Sequence, residues 1–348
     1  MSPLAVEYFL KLRLNTYEST IFKAFVSWMH DNPGYSASFP DLLKHIELHL
    51  IEEGDLNTLF TPIPFIDRNF YKNLLNQQQE QANMVQKVVN YNILTETNVF
   101  RIIDGEIKTG NVQPVYPKNY FIIDLRNKFL LNCLKLQAVI AQSYTVNVST
   151  DLRSWKCVVD HSKYTCIGLQ VLYFRECPVR FIRIQCEYGI LSINDNIQAL
   201  YSTDPFEIDP NTTLIIPNQN VVPTEMSLKW NPNAGGGYTH GEIIDGHIRH
   251  KINNHSRITF QFSQPYVIGN MKLRLNEESS YYVDVATMRN GECTRVFAEE
   301  NVSGWRTATF EKQAVSYIII VGTKSSSGYF HLYKLECPPI RKFVESYV

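Results

Sequence analysis

The sequence predicts an α+β multidomain protein, a small helical region followed by two tandem antiparallel β-sandwich domains, on three observations. The last two thirds of the chain say nearly the same thing twice. Ile102-Ile103-Asp104-Gly105, Ser143-Tyr144-Thr145-Val146-Asn147-Val148-Ser149, Phe174 and Val179-Arg180-Phe181-Ile182-Arg183-Ile184 are answered, in the same order, by Ile243-Ile244-Asp245-Gly246, Ser280-Tyr281-Tyr282-Val283-Asp284-Val285-Ala286, Phe310 and Val315-Ser316-Tyr317-Ile318-Ile319-Ile320. A repeat of roughly 135 residues is too long for a solenoid unit and fits a domain with its own core. The hydrophobic period also changes from helical to two at about Val88, and no helical period returns between the strand candidates, which excludes an alternating α/β enzyme.

The helical region is placed at residues 1–80. Ile21, Phe22, Ala24, Phe25 and Trp28 recur at helical spacing from Glu18 onward, and Asp31-Asn32-Pro33-Gly34 stops that helix. Ser38-x-Pro40-Asp41 is a cap for a second helix running from Leu42 through Ile46 to Ile51, and a third follows Gly54-Asp55-Leu56. Pro62 and Pro64 interrupt the array, Phe70 to Leu75 resume it, and the polar run Asn76 to Asn83 is a helix tail or a linker. The first sandwich is placed at 83–203, with strands Phe121–Leu125, Leu134–Val139, Tyr144–Ser149, Lys156–Asp160, Leu169–Phe174 and Arg180–Cys186. The second is placed at 211–338, with Ile258–Phe262, Met271–Leu275, Tyr281–Ala286, Thr294–Phe297, Thr307–Phe310, Tyr317–Gly322 and Phe330–Glu336. Strand alternation points Tyr144, Val146 and Val148 inward, and likewise Tyr281 or Tyr282, Val283 and Val285.

The formal net charge of −1 gives no basic excess for nucleic acid, and no apolar run reaches the roughly 18 residues of a membrane span. Seven cysteines fall at positions the two copies do not share, as free thiols would rather than duplicated disulfides. A cytoplasmic protein is expected on that ground, against four Asn-x-Ser/Thr sequons at Asn147, Asn211, Asn254 and Asn301. His240, His247, His250 and His255 lack the regular spacing of a zinc site, so no metal is expected. No nucleophile elbow, phosphate loop or triad signature occurs, and Gly235-Gly236-Gly237 reads as a flexible turn. Neither enzyme activity nor a cofactor is expected. Trp28, Trp155 and Trp305 read as core or sandwich-edge aromatics, leaving Trp230 as the exposed one. Trp230 and Tyr238, with His240, His247 and Tyr116, are the expected partner-binding residues.

Gln264-Pro265-Tyr266-Val267-Ile268-Gly269-Asn270-Met271-Lys272-Leu273, Tyr281 to Val285, Trp305, Phe310 and Tyr317 to Thr323 resemble the discoidin, or coagulation-factor C-type, jelly-roll module. Asp160-His161-Ser162-Lys163-Tyr164-x-Cys166 and Phe181-Ile182-Arg183-Ile184 carry the resemblance in the first copy. Glu18-x-x-Ile21-Phe22-x-Ala24-x-x-x-Trp28 and Leu42-Leu43-x-x-Ile46 resemble BACK helices. The order BACK, discoidin, discoidin is that of the BTB/POZ domain-containing protein 9 family. The family's BTB domain and earliest BACK helices have no counterpart in these residues, and its Trp-Asp pair is replaced by Ala138-Val139 and Asn276-Glu277. The resemblance implies a non-catalytic substrate-recognition protein of a cullin-3 ubiquitin ligase. Protein clients would be held by the tandem sandwiches, and cullin-3 would bind only where a BTB domain is supplied elsewhere. The alternative it implies is a discoidin-type binder of glycans or membrane surfaces.

Overall fold

The computed structural model describes residues 1–339 except 13, 15, 62–64, 95–100, 104–118, 187–192, 194–196, 223–235, 240, 241, 245, 254, 255, 289 and 290. Its helices are α1 (Pro3–Lys11), α2 (Glu18–Asp31), α3 (Phe39–Leu43), α4 (Glu53–Leu56) and α5 (Arg68–Asn83). In α2, Phe22, Phe25, Val26 and Met29 form one buried stripe. The Asn32 side-chain amide closes the helix by donating to the Trp28 carbonyl at 2.8 Å.

Two helical expectations change, and a third, left open, is decided as a helix tail. α1 has no counterpart among them: Ser2 caps it and Pro3 opens it. The helix expected from Leu42 to Ile51 ends at Leu43, and Ser38 makes no capping bond. A 3-10 stretch, Pro33–Ser38, runs into α3 and leaves Ser38 with helical backbone angles. The polar run Asn76 to Asn83 is helix, capped far upstream by Asp67, whose carboxylate accepts from the Asn69 and Phe70 N–H groups at 2.9 Å. Gln78 ties it down, its amide accepting from Leu48 N and donating to the Ile46 carbonyl, both at 2.8 Å. Phe22, Met29, Phe39, Leu43, Ile46 and Leu48 are the centre of this core.

The strands are β1 (Val85–Gln86), β2 (Arg101–Ile103), β3 (Tyr120–Ser149), β4 (Lys156–Cys186), β5 (Gln198–Leu200), β6 (Glu207–Ile208), β7 (Ile215–Ile216), β8 (Gly236–Thr239), β9 (Glu242–Ile244), β10 (His247–Lys251), β11 (Ile258–Ala286), β12 (Thr294–Ser325), β13 (Tyr329–Leu332) and β14 (Lys334–Glu336). β1 to β5 form one hydrogen-bonded set. A second set contains β6, β7, β8, β11, β12 and β14, and β9, β10 and β13 make a smaller sheet. The long strands pass through two layers. Residues 120–124 and 144–149 of β3 both pair with the 181–186 end of β4, whereas 133–138 pair with 168–173. Arg126, at φ 69°, marks one break, its N–H held by the Asp124 carboxylate at 2.8 Å.

The second set repeats this scheme. Residues 258–261 and 282–286 of β11 both pair with 317–321 of β12, and 270–275 pair with 304–309. Val146 lies between Ile184 and Val159, and Val283 between Ile320 and Phe297, so the two valines hold matching positions. Every expected strand falls within these elements except Phe330–Glu336, which breaks at Tyr333 into β13 and β14 of different sheets, and the alternation holds: Tyr144, Val146, Val148, Tyr281, Val283 and Val285 are buried. Tyr281, not Tyr282, points inward. The two apolar clusters share no residue. Gly236 and Gly237, expected in a flexible turn, lie in β8 and pair with Phe262 and Gln261.

Buried side chains help to join the parts, beside bonds such as Arg153 to the Ile51 carbonyl at 2.9 Å and Thr165 N to the Thr287 carbonyl at 3.1 Å. Arg180, 2% exposed, donates to Asp124 (Nε to Oδ1, 3.1 Å), to Glu47, and meets His49 Nε2 at 3.1 Å, tying the helical region to β3 and β4. The Gln264 side-chain amide, from the second set, accepts from Val171 N at 2.8 Å and donates to the Val171 carbonyl at 3.0 Å.

Candidate partner-binding surface

β10 and β13 run antiparallel, with Arg249 opposite His331 and Ile248 opposite Leu332. Alternation sends Ile248, His250, Phe330 and Leu332 into the core and leaves His247, Arg249, Tyr329, His331 and Tyr333 on the other side. These five form a ladder of rings and cations. His247 stacks on Tyr333 with centroids 4.5 Å apart, and the Arg249 guanidinium sits 4.5 Å from the centre of the Tyr329 ring. Between them, His331 Nδ1 and His247 Nε2 share a hydrogen bond of 2.9 Å, and His331 Nε2 stands 3.5 Å from Glu277 Oε1. Ser327 donates to the same Glu277 oxygen at 2.9 Å. Burial pushes the His331 imidazole down, with help from His247 and Arg249 and against Glu277.

Of the residues expected to bind partners, only His247 has a described side chain. It is 8% exposed and engaged by His331 and Tyr333, so it supports the ladder from beneath instead of projecting from a loop. Tyr238 lies in β8 opposite Phe260. Trp230, His240 and Tyr116 lie outside the described residues, as do Asp104, Gly105 and Asp245; Gly246 adopts φ 80°. Sequence reasoning passed over Arg249, Tyr329, His331 and Tyr333. The signal was there in the alternation Tyr-Phe-His-Leu-Tyr at 329–333. Trp305, expected in a core or at an edge, is 48% exposed.

A Cys and His pair also occurs: Cys166 Sγ lies 3.4 Å from His161 Nδ1. Both are buried in the first core beside Tyr144, which donates to Gln170. Burial raises the thiol and lowers the imidazole to about 3, so the pair is neutral, the opposite of an activated thiolate with imidazolium. All seven cysteines are free, with Cys157 and Cys293 exposed. Among the described residues no group of three or more His, Cys, Asp or Glu is placed to hold a metal ion.

Compared with curated proteins, the chain matches BTB/POZ domain-containing protein 9 of Drosophila melanogaster at 24% identity over 361 residues, 92% of this chain and 49% of that one. The chain is similar to BTB/POZ domain-containing protein 9. The Mus musculus and Homo sapiens proteins agree at 26% over 368 residues, 92% of this chain and 59% of theirs. The chain thus spans about half to three fifths of the curated relatives it matches. No family model matches. Solved structures with partial overlap include CBM32-1 of a family 31 glycoside hydrolase from Clostridium perfringens, at 11% identity over 34% of this chain and 97% of that one, TM-score 0.27. The family 32 CBM of C. perfringens NanJ in complex with galactose gives 15%, 34%, 96% and 0.25. At such scores neither bears on what this chain binds. No helix among the described residues is long and apolar enough to cross a membrane.

Proposed function

We propose that the chain is a non-catalytic protein-interaction protein in which two tandem discoidin-like β-sandwich domains, behind a helical BACK-like region, hold a protein client. The role is that of the substrate-recognition part of a cullin-3 ubiquitin-ligase adaptor. The observation that carries this reading is the similarity to BTB/POZ domain-containing protein 9 along 92% of the chain. The repeated pairing around Val146 and Val283 supports the tandem layout, and the ring and cation ladder on β10 and β13 offers a surface of the kind enriched at interfaces. Cullin-3 is expected to bind only when a BTB domain is joined to these residues.

The test compares the 348-residue chain, the same chain behind a BTB domain, and the BTB domain alone, each tagged for proximity labelling in cells and assayed with purified cullin-3. The reading expects a set of labelled proteins shared by the first two and missing from the third, ubiquitylated only with the fusion. Labelling no different from the BTB domain alone would overturn it, and so would selective retention of the chain on a glycan array.

A further inference from the structure

On the outer face of the sheet formed by residues 304–309, 270–275 and β14, one row crosses all three strands. Trp305 lies opposite Arg274, and Arg274 opposite Lys334; in the next row Thr307, Lys272 and Glu336 are aligned in the same way. Between the rows Leu273 and Leu335 are buried, and Arg306, between Trp305 and Thr307, is engaged by Glu299, so alternation sends both rows to the solvent. Trp305 is 48% exposed, with the Lys334 ammonium 5.7 Å from its ring. Three cations share this face with one carboxylate, Glu336, which pairs with Lys334 at 2.6 Å. Among the described residues Arg274 and Lys272 have no carboxylate partner. A chain with net charge −1 has thus gathered a local positive excess around an exposed indole.

The strand that carries Trp305 is also an edge. Residues 304–309 pair with 270–275 and, among the described residues, with no other strand. The matching edge of the first copy, at residues 168–173, is engaged: Gln264 bonds both backbone groups of Val171. The same edge serves as a docking site within the chain in one copy and, among the described residues, is unpaired in the other.

We propose that this face and edge take an extended acidic segment of the client protein. Its backbone would run along residues 304–309, Trp305 would anchor a side chain, and Arg274, Lys272 and Lys334 would pair with its carboxylates. Strand addition to an open edge supplies backbone hydrogen bonds, and the side-chain row supplies the sign of charge. Trp and Arg are the residue types that dominate binding energy at such sites. This inference rests on the client-binding reading above and names the surface and the chemistry of its ligand.

The experiment titrates the full chain with a fluorescein-labelled peptide of alternating Glu and Thr, with the same peptide carrying Gln for Glu, and with an oligothymidylate. The Glu peptide should bind and weaken as salt rises, since exposed charges are screened, and the Gln peptide should not. Trp305→Ala and Arg274→Glu should each weaken binding at least roughly tenfold with thermal melting unchanged. No binding, equal binding of both peptides, indifference to both substitutions, or preference for the oligothymidylate would overturn the inference. The two variants carried into the proximity-labelling assay separate the readings: a full client set with W305A and R274E defeats this surface alone, whereas no client set with the unaltered chain defeats the function proposed for it.

Discussion

His161 shows what burial does to a titrating side chain. Its imidazole is lowered to about 3 from an ordinary value near 6.5. Between those values the folded chain therefore binds fewer protons than the unfolded one. The contribution to stability is complete above about pH 6.5 and is lost as pH falls toward 3, by up to about 1.4 kcal/mol per pH unit. His49 and His250 are shifted the same way by burial and add to the slope. The unaltered chain should lose thermal stability faster than His161→Gln between pH 6.5 and 4, and parallel curves would show that His161 is not the group responsible. Val283 belongs to the same scale. It is fully buried, so Val283→Asp would place a carboxylate among Phe260, Tyr281 and Ile320, and should cost several kcal/mol in urea unfolding, comparable with a domain's whole stability.

The strands were the most readable elements because a period of two, once a face is buried, fixes which side chains point inward. Val146 and Val283 could be matched across the repeat from that alternation alone. Helices were less readable. α1 has one buried residue, Val6, and exposed Leu4 and Tyr8, so its apolar stripe does not announce itself, and α5 buries only Leu74. What holds α5 is the pair of bonds from Gln78 to the backbone about thirty residues earlier, a contact without local trace. Gly322 is an element-scale constraint of another kind. A Cβ there would fall on the Phe330 side chain, so β12 and β13 approach only because the residue is glycine. Gly322→Ala should destabilise by about 1–3 kcal/mol through overpacking. Gly304→Ala, with open space around its Cα but φ of 74°, tests backbone strain without a clash, and Gly322→Ala should show the larger loss of native side-chain packing by near-ultraviolet dichroism.

Across the whole molecule, Arg180 is the buried charge in the tie between the helices and the first sheet, beside the Arg153 bond to the Ile51 carbonyl and the packing of Tyr17 and Leu50 on Ile122 and Phe181. Asp124 lies 56 residues earlier and is fully buried, and Glu47 lies 133 residues earlier. Nothing in the periodicity marks such a triad, which is why the readings of the separate regions were sounder than any reading of how they meet. Arg180→Leu removes the buried guanidinium that Asp124 and Glu47 pair with and should cost about 3–5 kcal/mol. The double variant with Asp124→Asn should recover part of that loss in urea unfolding; strict additivity would deny the coupling. Thiol counting reports on the chain as a whole: seven groups should react in denaturant without reductant, and in the native protein Cys157 and Cys293 should react first.

Gln264 has a consequence for solubility. An uncovered strand edge invites a second molecule to continue the sheet, a route to aggregation that natural proteins block with charge, proline, bulges or a covering segment. Here a single side-chain amide lies across Val171 and takes the backbone partners that an incoming strand would need. Removing it with Gln264→Ala leaves the first β unit's core untouched and uncovers that edge. The expected result is a variant with near-native melting that scatters light in proportion to its concentration, a defect of company rather than of folding.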